Sequence, residues 1–469
     1  MGLAQILEVG RRALLTQQLT LNTIGHNIAN VDTPGYTRQR VGLSSTDPLK
    51  TILGAVGTGV QVSDIRHIRD LFLGTQWREE NKSLGKWTYR EKILGQIETM
   101  FNEPSDDSLR GHMDNFWNSW SQLANAPESS TNRNDLISKA SILVSEFHQL
   151  SNQLNALKDS VDRDLTIRVQ DINRLTSGVA SLNTEISRTE LGGSSANDLR
   201  DRRDLLIDEL STLVDVNVVE EAGGAARVYI GSMTLVDRNI SYKIGTDTKI
   251  VNGSSLSELV LQGSPVVIKN INGELRGLVE TRDKVIPSYL SRLDELAQTI
   301  ATQVNAVHRA GFGLASAGLT TAPTGNDFFN STSISAATIS INLAVLNDPT
   351  LIAASQSGEP GDASNALAMT ALRDGRLMNN NSISFSDFYG SLVGDVGIAA
   401  QEANRLRSNF ELVVQQIDNA RQSVQGVSLD EEMTNLIRAQ RAYEAAARVI
   451  TTVDQAYDTI INGMGIVGR

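Results

Sequence analysis

The chain contains no cysteine, so disulfides and thiolate metal sites are excluded. Aromatic residues make up only 5% of it, whereas Ala, Ser, Asn and Thr are plentiful, as in long helices that touch through small side chains. No stretch approaches about eighteen consecutive apolar residues, which removes a membrane-spanning helix. The N-terminal segment, broken by Glu8, Arg11 and Arg12, lacks the apolar block of a secretory signal. Basic residues are too few for a general nucleic-acid binder, since the formal charge is -12. On composition alone the chain would stay in the cytoplasm.

Catalytic patterns are missing too. The histidines, His26, His67, His112, His148 and His308, lie far apart with no paired ligand spacing. His67 is three residues from both Asp64 and Asp70, which reads as a surface ion-pair cluster because no nucleophile motif accompanies it. There is no P-loop, no GxSxG elbow and no EF-hand loop. Asp430, Glu431 and Glu432 read as first-turn carboxylates favoured by a helix dipole, not as a metal triad. Trp117 and Trp120 read as core between helices. The expectation is a protein with no catalytic, cofactor or metal site.

What is present sits at the two ends. Leu3, Leu7, Gly10, Leu14, Gln17, Leu21, Ile24, Ile28 and Val31 are separated by steps that alternate between four and three. Leu429, Met433, Leu436, Gln440, Tyr443, Ala447, Ile450, Asp454, Tyr457, Ile461 and Met464 do the same. Such steps give a continuous seam for a partner helix, so the first and last helices are expected to pair. Ile437, Val449, Val453 and Ile460 form a second apolar row, matched by Ile6 and Ala13. A two-helix pair buries one row per helix, so the second row calls for neighbouring molecules.

Between the ends, a length of 469 suggests roughly three domains of about 150 residues. Helices are expected from Asp70, with a long one from about Arg133 to Leu191 whose stripe runs from Leu150 to Ile186. Gly192 and Gly193 stop it, and Asn197 is expected to cap the next. The period then changes: Val216 to Val219, Arg227 to Ile230, Thr234 to Val236 and Ile240 to Ile244 read as strands. Helix returns near Leu278 with a kink or restart at Pro287. The stretch 311–381, rich in Ser, Thr, Asn and Gly, reads as exposed and variable. A last helix is expected over Phe385 to Gln425. No tandem repeat is visible, and the order is nested, with termini together and middle residues outside.

The turn after the first seam carries a resemblance. Asn30, Thr33, Pro34, Gly35, Tyr36, Thr37, Arg38 and Gln39 closely resemble the N-terminal signature of bacterial flagellar rod, hook and hook-associated proteins. Gly426 to Met433, continuing from Leu436 to Tyr443, looks like the C-terminal half of it. Asn197-Asp198-Leu199, Arg202 to Leu206, and Phe385 to Tyr389 are similar to the hook-associated protein 1 family. The stretch from about Thr320 to Ala371 is shorter than the outer part of many relatives.

The resemblance implies a mainly α fold with β insertions, elongated, its terminal helices paired as a coiled coil. The expected units are 1–40 with 426–469 as an axial coiled coil, 41–213 with 273–425 as a helical rod, and 214–272 as an inserted β domain. It implies a non-enzymatic adapter between flagellar hook and filament, exported uncleaved through the type III channel. Implied partners are other copies in a ring, the hook protein, the second junction protein with the filament, and an export chaperone, with no membrane or nucleic acid. The expected assembly surface is Leu3, Leu7, Leu14, Leu21, Ile24, Ile28, Leu429, Met433, Leu436, Ile437, Tyr443, Ile450, Val453, Tyr457 and Ile461. A hook or rod protein shares the terminal signatures, but such proteins resemble mostly β structure between them. A secreted coiled-coil adhesin would have to use 311–381, which lacks aromatic or acidic clustering.

Overall fold

The computed structural model describes residues 2–51, 54–221, 223–251, 254–264, 267–269, 271–315 and 322–463. Met464, expected in the C-terminal seam, lies outside them. The first helix, α1 (Leu3–Ala29), ends at the predicted turn, where Gly35 takes a positive φ of 77°. An antiparallel hairpin follows. Its long arms are β1 (Gln39–Ser45) and β4 (Val60–His67), with Gln39 opposite His67, and its tip is a ribbon of β2 (Leu49–Thr51) and β3 (Gly54–Val56).

Asp70 then starts α2 (Leu71–Phe101), its carboxylate accepting from the Phe72 and Leu73 amides. In α3 (Leu109–Asn125) the predicted stripe Met113, Phe116, Trp117, Trp120 and Leu123 is buried, and Trp117 stacks on Phe385 at 5.9 Å. The long helix α4 (Ser130–Glu190) has 61 residues, a length of about 90 Å at 1.5 Å per residue. Its stripe from Leu150 to Ile186 is buried except at Leu182, which is half-buried.

Beside Leu182, Asn183 turns inward and reaches the β segment. Its amide donates to the Ala226 and Arg238 carbonyls at 2.7 Å and accepts from the Ala226 N–H at 2.9 Å. Asn197, expected to cap α5 (Asn197–Leu213), is its first residue instead. Its side chain donates to the Ile65 carbonyl at 2.8 Å, which ties this helix end to β4.

The β insertion is two sheets, not one. β5 (Asn217–Glu220), β6 (Ala226–Ile230), β7 (Met233–Asp237) and β8 (Ile240–Ser241) make a four-stranded antiparallel sheet. β9 (Ile244–Val251) and β10 (Ser254–Leu261) form a separate hairpin, so the single strand expected over Ile240 to Ile244 is split. Val228, Leu235, Val236, Ile244 and Leu259 belong to the same apolar cluster as the helices.

Helix returns at Glu274, earlier than Leu278, as α6 (Glu274–Glu280), then one π turn (Thr281–Val285), then α7 (Ile286–Ala310). Pro287 falls in the first turn of α7, where a missing N–H is tolerated. The chain continues through α8 (Leu343–Asn347), α9 (Ser364–Ala371), α10 (Phe385–Gln425) and α11 (Leu429–Asp458).

The stretch 311–381 is not the exposed segment its composition suggests. Phe328, Phe329, Ala336, Ile339, Val345, Ile352, Met369 and Met378 are buried. Polar side chains of the helices hold its backbone in place of a regular pattern. Asn305 donates to the Phe329 carbonyl and accepts from the Phe328 and Phe329 amides. Arg133 donates to the Pro349 and Ile352 carbonyls. Two long helices, α2 and α10, run antiparallel, with Arg407 on Glu91 at one level and Arg421 over Trp77 at another. They carry the chain between the rod core and the terminal pair.

Candidate assembly interface

The terminal helices α1 and α11 lie side by side, antiparallel, with Asn27 against Glu432 near one end and Gly10 against Ile450 near the other. The expected pairing is formed, but its seam is rotated. In α11 the buried residues are Glu432, Ala439, Ala446 and Val453, one heptad apart and each one residue before an expected seam position. Leu436, Tyr443, Ile450 and Tyr457 flank that row and are half-buried. In α1 the buried residues are Gly10, Thr16, Thr23, Ile24 and Asn27, while Leu3, Leu7, Leu14, Leu21 and Ile28 are half-buried.

The reason is size. A Cβ on Gly10 would lie 3.1 Å from Ile450 Cγ1, so the helices approach through glycine, alanine and threonine, and axis separation follows the side chains at the contact. The expected seam holds at Gly10 and Ile24 and along Leu436, Tyr443, Ile450 and Tyr457, while its other α11 row shifts by one position, from Met433, Gln440, Ala447 and Asp454 to Glu432, Ala439, Ala446 and Val453. The large residues are thereby left outside: Leu429 is 48% exposed, Met433 49%, Ile437 55% and Ile461 70%. Val449 and Ile460 of the second row are exposed as expected, but Val453 is not, since it occupies the buried row.

The signature turn closes around Asn27. Asn27 Nδ2 donates to the Gln39 carbonyl and to Glu432 Oε2, both at 3.0 Å. Its Oδ1 accepts from the Tyr36 hydroxyl at 2.8 Å and the Gln39 N–H at 2.9 Å. Burial, then Asp198, Asp201 and Glu432, push the Tyr36 phenol well up, so it stays a donor. Asn30 donates to the His26 carbonyl and accepts from Thr33, which shapes the turn, while Pro34 stays exposed. Gly35 sits against Leu205, whose Cβ would be 3.2 Å from any Cβ placed there. Arg38 pairs with Glu431, so Glu431 and Glu432 already have protein partners and are more than dipole-favoured carboxylates.

The two family-like segments, far apart in sequence, meet here. Asp198 accepts from Gln39 Nε2 at 2.6 Å and lies 3.3 Å from His26 Nε2. Asp201 accepts from the Thr37 hydroxyl at 2.7 Å and the Thr37 N–H at 2.9 Å. His67 Nδ1 contacts Asp201 at 3.0 Å and thus does not form the local cluster expected with Asp64 and Asp70. Asp70 is used as a cap, which leaves His67 to the longer-range carboxylate. Arg69 pairs with Asp204, and burial followed by repulsion from Arg78 brings its pKa down to about 10. Asn27, Asp198, Asp201 and Glu432 are the joint residues that sequence reasoning missed. Two polar residues facing an apolar seam, Asn27 and Glu432, were the available signal.

Among the described residues no group of three or more His, Cys, Asp or Glu could hold a metal ion, and no helix is long and apolar enough to cross a membrane. Residues 94–329 match the family described as the flagellar hook-associated protein FlgK helical domain. Residues 419–463 match the flagellar basal body rod FlgEFG protein C-terminal family, and residues 7–37 the flagella basal body rod protein family. The chain is 35% identical to flagellar hook-associated protein 1 of Bacillus subtilis, covering 99% of each chain. It is 27% identical to that of Salmonella typhimurium, covering 98% of this chain and 100% of the relative. The flagellar hook junction protein FlgK from Burkholderia pseudomallei superposes with a TM-score of 0.64 at 18% identity, over 75% of this chain and 100% of that one, and shares the fold. The matched segments take in the helical middle with its β insertion, the signature turn and the terminal pair, and the chain belongs to the flagellar hook-associated protein 1 family.

Proposed function

We propose that this chain is a structural adapter that joins flagellar hook to filament as a ring of copies, without catalysing a reaction. The observation that carries this reading is the small-residue seam of α1 and α11, which leaves Leu429, Met433, Ile437 and Ile461 exposed. Rows of large apolar side chains on a paired helix favour packing against further helices. The surface used would include Leu3, Leu7, Leu14, Leu21 and Ile28 on α1 and Leu436, Ile437, Tyr443, Tyr457 and Ile461 on α11. Ile24, Ile450 and Val453 would act from beneath by holding the pair together.

In this reading the chain divides into an axial unit, which takes in the hairpin up to His67 besides 1–40 and 426–469 because the hairpin packs on α1, a rod (68–213 with 273–425) and the β insertion (214–272). It would be exported uncleaved by the flagellar type III apparatus with a chaperone, and would contact the hook on one side and the second junction protein with the filament on the other. Electron microscopy of a deletion strain tests this. Hooks without filaments, restored by the wild-type gene, are expected. Intact filaments in the deletion strain would refute the reading.

A further inference from the structure

The terminal pair and the rod are joined by two chain crossings, Ile68–Asp70 between β4 and α2, and Gly426–Ser428 between α10 and α11. Neither has helix or strand structure. The backbone of Arg38 staples both: its N–H donates to the Gln425 carbonyl at 2.8 Å and its carbonyl accepts from the Ile68 N–H at 2.8 Å. On the axial side, α1, α11 and the β1–β4 hairpin hold to one another, through Asn27 to Gln39 and Glu432 and through Val9 against Gly59. On the rod side stands α5, with its carboxylates on one face.

We propose that the axial pair and its hairpin pivot as one body about this joint, and that Asp198 and Asp201 of α5 are the latch that sets the angle. The two carboxylates are one helical turn apart and both bind axial residues: Asp198 binds Gln39 and His26, and Asp201 binds Thr37 and His67. One turn further, Asp204 holds Arg69 within a crossing. Further still, Asp208 binds Arg78 of α2 at 2.5 Å and Arg421 of α10 at 2.8 Å, so it belongs to the rod alone. The ladder therefore changes sides along one helix.

Polar contacts of this kind exchange for water at small net cost, whereas an interface of interlocked apolar side chains resists separation. Leu205 on Gly35 is an apolar contact across the joint, and it is with a residue that has no side chain. The crossings supply the backbone freedom, and the latch supplies the preferred angle. A chain built this way can present its axial pair at more than one tilt while the rod core stays intact.

The cysteine-free sequence makes the test direct. Full-length protein carrying Gln18→Cys on α1 and Ser181→Cys on α4, both exposed, is spin-labelled and its distance distribution measured by double electron–electron resonance. A narrow distribution is expected, broadening or gaining a second population in Asp198→Ala with Asp201→Ala while the main melting transition stays in place. Asp208→Ala should do the reverse, lowering the melting temperature and leaving the distance unchanged. Should the double variant not fold, Thr37→Val removes one bond of the latch and should still broaden the distribution. A distribution equally broad before and after mutation, or one that stays narrow in both latch variants, overturns the proposal.

Discussion

His308 is buried with both ring nitrogens committed. Nδ1 faces the Asn326 carbonyl at 2.7 Å and must donate, while Nε2 accepts from the Ala353 N–H at 3.0 Å. Only the neutral ring satisfies both, and burial holds its pKa down to about 4. The unfolded chain protonates near 6.5, so the stability from this group is complete above that pH and is lost as pH falls toward 4. The loss amounts to roughly 3 kcal/mol at most. Thermal melts across that range should show the wild type declining more steeply than His308→Gln; parallel slopes would dismiss the assignment. Asn27 offers a second residue-scale test. Asn27→Leu leaves the buried Glu432 carboxylate without its donor, a loss of about 3 kcal/mol for a broken buried charge contact. Protease should then cut α11 sooner, with the rod's melting transition unchanged. The His308 site was not legible beforehand. His308 closes a helical stripe in the sequence, and its carbonyl partner is an irregular loop, which no periodicity reports.

At the scale of the element, helices were legible and their rotation was not. Asp70, Ser129 and Ser384 cap where a short polar residue precedes an apolar period, and α10 begins and ends where that period does. In the α1–α11 seam one row of α11 is displaced by one residue, because steps of four and three fit both Gln440 and Ala439 between Leu436 and Tyr443, and only the close approach at Gly10 selects the alanine side. The stretch 311–381 failed because Asn305, His308 and Arg133 supply its order from elsewhere in the chain. The rotated seam makes a contrast between two charge insertions. Ile437 is 55% exposed, so Ile437→Asp should leave the melting temperature of the purified protein within about a degree, given surface effects near ±0.5 kcal/mol. It should nevertheless fail to restore filaments in the deletion strain. Leu157 is buried on α4, and Leu157→Asp should cost several kcal/mol and melt the rod directly. Equal melting losses for the two would place Ile437 in the folded core.

For the whole molecule, the nested order was legible because both terminal segments announce helices and a shared turn signature. The joint between them and the rod was not, because Thr37 and Asp201 are 164 residues apart. The nesting gives the molecule two unlike poles. The outer ends of α1 and α11 lie at the axial pole, while Phe101 meets Tyr389 away from it, near the start of α10. Beside that contact, Asn379, Asn380 and Asn381 are exposed with positive φ, closing a loop before α10. A short epitope inserted between Asn380 and Asn381 should therefore be tolerated, with motility on soft agar retained, whereas the same epitope fused to α1 should abolish swimming. The same asymmetry bears on how such chains diversify. Residues added in the loops just before α10 would emerge at the far pole as decoration, whereas the β insertion at mid-sequence sits beside α5 near the joint, where Arg203 binds Glu220 and the Gly224 carbonyl, so length added there would press on the contacts that hold the terminal pair.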